Sequence, residues 1–249
     1  MNLSALIDAP WPAQVWRADT LAPTRPDAGV LPSGHAVLDA QLPGGGWPRG
    51  ALCEILQPPG THAHWQLLLP ALRSQARAPS CAQSHADLPR VALVAPPHTP
   101  YGPALAAQGL HPGRLLWLRA QTTAQRLWAA EQLLLADLPL VVLLWLGADQ
   151  ALGTAPEASV QSAAVDASAL RRLHRAAGVR GQMLFVLRPL AAAQQPSPAV
   201  VRVAAQWPVP VLGAATRSLQ LRVLKRRGPP LARALELSLG PHVVDRRPA

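Results

Sequence analysis

The octet Gln57-Pro58-Pro59-Gly60-Thr61-His62-Ala63-His64 holds the residues of this chain best placed to do chemistry. It separates an apolar run, Ala51–Leu56, from a segment with helical spacing that begins at Trp65. A loop between a strand and a helix binds phosphate when it reads Gly-x-x-x-x-Gly-Lys-Ser/Thr. Its backbone N–H groups then wrap the anion, its lysine reaches the outer phosphates and its hydroxyl holds magnesium. Here Gln57 and His62 stand at the two glycine positions, Ala63 at the lysine and His64 at the hydroxyl. Pro58 and Pro59 have no N–H to offer. Gly60 and Thr61 are what remains of a phosphate-binding surface, and Lys225, the chain's one lysine, is far away in sequence.

Other chemistry finds little material. His62 and His64 have no Cys, Asp or Glu beside them to complete a metal set. His98, His111 and His174 are scattered. There is no Gly-x-Ser-x-Gly, no carboxylate pair and no Cys/His constellation. The expectation is a protein without catalytic residues, metal or cofactor, with residual nucleotide binding left open.

The elements that must carry this loop read as alternating strands and helices. Ala51–Leu56 is a strand and Trp65–Ala78 a helix with Leu68, Leu72 and Ala76 on one side. Val91–Ala95, Arg114–Arg119 and Leu140–Leu146 are further strands. Helices are expected at Tyr101–Gln108, closed by Gly109, and at Thr122–Ala136, with Leu127, Ala130 and Leu134 inward. A polar loop over 147–166 leads to a helix, Ser168–Ala177, ended by Gly178. A strand over Gln182–Leu187, a loop over 188–199 and three late strands (Val200–Gln206, Ser218–Lys225, Arg233–Leu239) finish the core. This order predicts an α/β fold: a mostly parallel central sheet flanked by helices, with an antiparallel C-terminal extension. The expected division is an N-terminal arm and linker (1–30), a core (31–240) and a basic tail (241–249).

In the arm, Trp11 and Trp16 are costly to leave in water, so they dock either on this chain's own core or on a neighbouring subunit. Cys53 and Cys81 are the only cysteines, too few for a zinc or disulfide framework. No signal-peptide pattern or membrane-length apolar run is present, which points to the cytoplasm. The net charge of +10 is unevenly spread. Residues 1–170 hold 9 Lys/Arg against 11 Asp/Glu, and residues 171–249 hold 14 against 2. A one-sided field of that kind favours a polyanion or an acidic partner, the alternative being a solvated basic face.

The approach to the loop resembles a known family. Leu31-Pro-Ser-Gly-His-x-x-Leu-Asp39 followed by Pro43-Gly-Gly-Gly-Trp-Pro-Arg-Gly50 and a strand ending in Glu54-Ile55 is similar to the entry of RecA-type ATPase cores. Taken together, and with Trp16-Arg17, it resembles the ImuA family of RecA-like proteins, sometimes grouped with the SulA-like division inhibitors. The resemblance spans most of residues 31–239. It implies a RecA-like core with a degenerate phosphate loop, and a role in SOS mutagenesis, the translesion branch of the DNA damage response. The implied partners are ImuB and an error-prone C-family polymerase, with DNA, RecA or a second copy of the chain as further candidates. It also implies two more losses: Trp145 stands where the family carries a magnesium-binding Asp, and Pro97 where it carries the Glu that activates water.

RecA-type proteins hold single-stranded DNA in loops that correspond to 147–166 and 188–199. Here the first is slightly acidic, the second carries only Arg188, and neither has an aromatic to stack a base. The cations lie beside them: Arg171, Arg172 and Arg175 on one helix, and Arg222, Lys225, Arg226 and Arg227 before a Gly-Pro-Pro turn. Together with Arg188 they are the candidates for DNA or partner contact. Two function classes stay open: a non-catalytic accessory protein that scaffolds the ImuB–polymerase complex, and a SulA-like division inhibitor acting by protein binding. An ATPase with a non-standard loop is a third.

Overall fold

The computed structural model describes residues 29–77, 90–138, 140–147, 165–208 and 218–238, and among these residues are ten short strands and five helices. Trp11, Trp16, Cys81, most of the 147–166 loop and the tail 241–249 lie outside the described residues.

In chain order the elements are β1 (Val30–Leu31), α1 (Ala36–Asp39), β2 (Trp47–Pro48), β3 (Ala51–Gln57), α2 (Ala63–Arg77), β4 (Val91–Val94), α3 (Gly102–Ala107), β5 (Leu115–Leu118), α4 (Thr123–Leu135), β6 (Val141–Trp145), α5 (Ala167–Val179), β7 (Met183–Pro189), β8 (Val201–Gln206), β9 (Ser218–Lys225) and β10 (Leu235–Ser238). A 3₁₀ turn, Leu190–Gln194, follows β7. Eight strands form one sheet in the order β10-β9-β8-β3-β7-β6-β4-β5. From β8 to β5 all neighbours are parallel, whereas β9 and β10 are added antiparallel.

Burial on both faces explains the unbroken apolar runs of the central strands. Successive side chains point to opposite sides, so each strand feeds two cores. Cys53, Ile55, Leu93, Leu143 and Phe185 pack with Leu67, Leu68 and Leu72 of α2. Leu52, Ala92, Val142, Leu144 and Leu184 pack with Ala130 and Leu134 of α4 and Leu170 and Leu173 of α5. Three layers result, α2 on one side and α4 with α5 on the other. Cys53 is fully buried in the first core, and desolvation holds its thiol well above the ordinary value.

Local signals account for the helix ends. Thr122 caps α4 in a reciprocal box: its hydroxyl accepts from Gln125 N, and the Gln125 amide oxygen accepts from Thr122 N, both at 3.2 Å. Asp166 caps α5 by accepting from Ser168 N at 2.9 Å. The expected end of α5 at Ala177 is corrected: the helix runs through Gly178 to Val179, and the chain turns at Gly181. Gly178 lies beside Gly50; a Cβ there would be 3.5 Å from Gly50 O, an ordinary contact.

The stretch that leads to the loop folds as a clasp. β1 pairs antiparallel with β2, and Asp39 Oδ1 accepts from Ser33 N at 2.9 Å. Gly34 has φ +81°, and a Cβ there would meet Pro70 Cβ of α2 at 2.4 Å, so only glycine fits. Trp47 is fully buried with its ring 5.2 Å from Phe185. These motif residues are thus spent on packing the clasp against α2 and β7. No helix among the described residues is long and apolar enough to cross a membrane.

Candidate functional site

In open parallel sheets ligands bind outside the carboxyl ends of the strands. Those ends bring together Gln57 (β3), Pro189 (β7), Trp145 (β6) and Ala95, just past β4. Ala95 holds φ 53°, which a residue with a Cβ adopts only under strain. It turns the chain into Pro96-Pro97-His98, where Pro97 and His98 are exposed.

The loop after β3 closes on itself. Thr61 N and Thr61 Oγ1 both donate to Pro58 O, at 3.3 and 2.7 Å. Pro59 and Gly60 take the corners, Gly60 with φ +71°, the arrangement expected of a tight turn with Pro then Gly at its centre. The Thr61 hydroxyl is therefore engaged inside its own turn.

Behind the turn, side chains of the chain fill the space. His64 lies in the first turn of α2 and is fully buried. Its Nδ1 is 3.0 Å from Gln57 Oε1, and its backbone N donates to the same oxygen at 3.4 Å. An amide oxygen only accepts, so the imidazole proton sits on Nδ1 and Nε2 is bare. The His64 ring packs 5.5 Å from the Trp145 ring and 5.4 Å from Trp65. His64 Nε2 and Trp145 Nε1 are both buried without a hydrogen-bond partner among the described residues. Burial, helped by the neighbouring His62, pulls the His64 pKa down to about 3. His62 is exposed, 4.9 Å from His98 by ring centroids, and its pKa is lowered by partial burial and by His98. Among the described residues no group of three or more His, Cys, Asp or Glu is arranged to hold a metal ion.

Gln57, Gly60, Thr61, His62, Ala63, His64 and Trp145 thus form one locality. Its interior is a neutral imidazole and two indoles, with the buried Ala63 contributing neither charge nor reach. Such a set can pack and rotate little. It offers no nucleophile paired with a base.

The candidate cations separate into three groups. Arg171, Arg175, Arg222, Lys225 and Arg227 are exposed, Lys225 with its Nζ 3.0 Å from Ser197 O. Arg172 is exposed but pairs with Glu131 of α4 at 3.0 Å, and Arg226 is turned to Gln41 O at 2.7 Å and Pro229 O at 2.9 Å. Arg188 is a correction. It is the sixth residue of β7 rather than a loop residue, its side chain is 3% exposed, and Nη1 pairs with Glu54 Oε1 at 3.0 Å. A buried, paired guanidinium is not presented to DNA.

Arg188 belongs to a cluster that sequence reasoning missed. Glu54, fully buried on β3, also takes Arg202 Nε of β8 on Oε2 at 2.6 Å. The rest of the Arg202 guanidinium donates to Ala192 O and Ala193 O at 2.9 and 3.2 Å, and Arg188 Nη2 donates to Gln195 Oε1. The cluster fixes the turn after β7 to the sheet. One signal was available: a Glu inside an otherwise apolar buried strand needs a cation on an adjacent strand.

Compared with known proteins, the chain matches no protein-family model, and no curated protein matches it.

Proposed function

We propose that this chain is a non-catalytic RecA-like accessory protein of damage-induced translesion synthesis, of the ImuA type. It acts by contact, scaffolding ImuB and an error-prone C-family polymerase. Two features support the RecA-like reading. The Leu31–Gly50 approach resembles that family, and the strand it serves, β3, sits inside a mostly parallel sheet with its following loop at the carboxyl edge.

The non-catalytic part rests on a single observation. The buried imidazole of His64, held by Gln57 and packed on Trp145, occupies the start of α2 where a phosphate loop would need open backbone N–H groups. Neutral rings with no cation beside them do not compensate a triphosphate.

Thermal unfolding with and without magnesium ATP tests this. A ligand at a hundredfold excess over its Kd stabilises by about 2.7 kcal/mol, which moves the midpoint of a chain this size by roughly 5–10 °C. No shift, and no magnesium-dependent phosphate release above a mock preparation, are expected. A clear shift would overturn the non-catalytic reading. Co-expression tests the partner: ImuB should co-purify, and capture of a tubulin-like division protein in its place would overturn the assignment.

A further inference from the structure

Outside the loop locality, the antiparallel edge of the sheet is the feature left unexplained. On β9 and β10, Leu219, Leu221, Val223 and Leu237 are buried on the α2 side. The alternate positions Arg222, Leu224, Glu236 and Ser238 are exposed, so these strands leave their other face to solvent. That is the side on which α5 packs over β3 and β7. An open shelf therefore lies beside α5.

Two distant stretches contribute exposed cations around this shelf. β9 supplies Arg222 and Lys225, with Arg227 just beyond. A register shift against β8 sets Lys225 opposite Arg202, which places it on the Glu54 side. From α5 come Arg171, His174 and Arg175, spaced i, i+3, i+4 and so on one stripe. His174 marks the seam. Its Nδ1 accepts from Leu52 N at 3.1 Å, and its pKa is lowered by burial and then by Arg227 and Lys225, which puts both cations within its electrostatic reach.

Acids do not cancel this field. Glu54 is buried between two arginines, Glu131 is tied to Arg172 and Asp166 to Ser168 at the α5 cap. Glu236, opposite Gln220, is the one acid on the exposed side of β9 and β10 among the described residues.

We propose that this shelf, the open face of β9 and β10 with the Arg171/His174/Arg175 stripe of α5, binds the phosphate backbone of duplex DNA without reading its sequence. The phosphates supply the charge the shelf lacks. A single strand also needs aromatic rings to stack its bases; the exposed positions of β9 and β10 hold none, and the exposed Trp207 just past β8 follows in alternation the α2-side positions Val203 and Ala205. A duplex keeps its own bases stacked. The proposal rests on the reading of the chain as an accessory of DNA synthesis.

Fluorescence anisotropy with a labelled duplex, oligo(dT) and poly-glutamate, each across a salt series, tests it. Two charge reversals on separate elements guard against a folding artefact: Arg222→Glu with Arg227→Glu, and Arg171→Glu with Arg175→Glu. Arg119→Glu, just past β5 at the opposite edge of the sheet, is the control. Each pair should weaken duplex binding at least about tenfold and flatten the log–log salt slope by about 1.8, at about 0.9 per lost phosphate contact. The control should bind as the parent does. Duplex affinity unchanged in both pairs overturns the proposal, as does tighter binding of oligo(dT) or of poly-glutamate by the parent. ImuB capture is read in parallel. Duplex binding without ImuB capture removes the accessory reading and leaves the shelf standing; ImuB capture without duplex binding does the reverse.

Discussion

An imidazole held inside a protein without a counter-charge has to stay deprotonated, and His64 meets that condition through Gln57. The amide oxygen accepts from Nδ1, which fixes the neutral tautomer, and the indoles on either side supply no acceptor for a second proton. The folded-state pKa of about 3 lies below the ordinary value of 6.5. Between those values the unfolded chain binds more protons than the folded one, so stability rises with pH across the window. The contribution is complete above pH 6.5 and is lost as pH falls towards 3. The slope reaches about 1.4 kcal/mol per pH unit in the middle of the window. Urea unfolding at pH 7.5 and pH 5 should show a larger loss for the parent than for His64→Gln. Equal losses would mean that His64 is solvated in the folded state. The same residue defines the site. At the start of α2 the chain carries a ring that packs against Trp65 and Trp145.

At the level of elements, three strands share one buried charge cluster. Glu54 of β3 stands opposite Arg202 of β8 in register, and Arg188 of β7 lies two residues further along the other side. Removing one partner of a buried ion pair strands the other charge, at about 3–5 kcal/mol. Glu54→Gln leaves two guanidiniums facing each other and should cost about that much in urea unfolding. Arg188→Met should cost less, because Glu54 keeps Arg202. A Glu54→Gln loss below that of Arg188→Met would mean that the carboxylate does not organise the cluster. The consequence for function lies in the turn Leu190–Gln194. Arg202 holds two of its carbonyls, so a segment that the family resemblance assigns to DNA contact is anchored to the sheet.

Across the whole molecule, the sheet couples everything described. β3 lies between the antiparallel half and the parallel half, and both cores are built on its two faces. No cut through the sheet leaves either half with a closed core. Urea unfolding followed by far-UV circular dichroism and by tryptophan fluorescence should therefore give coincident curves. Two separated transitions would show that β8–β10 is an independently stable unit. The charge asymmetry belongs to this scale as well. The C-terminal third is strongly basic in sequence, but folding sorts its cations. Among the described residues Arg188 and Arg202 go inside, Arg226 turns to Gln41 just past α1, Arg172 and Arg180 pair with acids of α4 and its following loop, and Arg171, Arg175, Arg222, Lys225 and Arg227 stay exposed.

Periodicity and apolar content were enough to lay out the strands and helices from β3 onward, because burial on both faces of a parallel sheet demands unbroken apolar runs and one-sided burial of a helix demands its 3.6-residue stripe; β1, α1 and β2 are too short to show a period and escape such a reading. Two local features also escape it although neighbouring residues set them: Thr122 falls inside the expected helix and is its cap, and the Pro59-Gly60 pair that closes a turn reads along the chain only as a remnant of a phosphate loop. What could not be read along the chain was which side chains meet across the sheet. Glu54 with Arg188 and Arg202, His64 with Trp145, and α5 with β9 are contacts between residues far apart in sequence. Their geometry depends on strand order and register, which arise only when both cores close together.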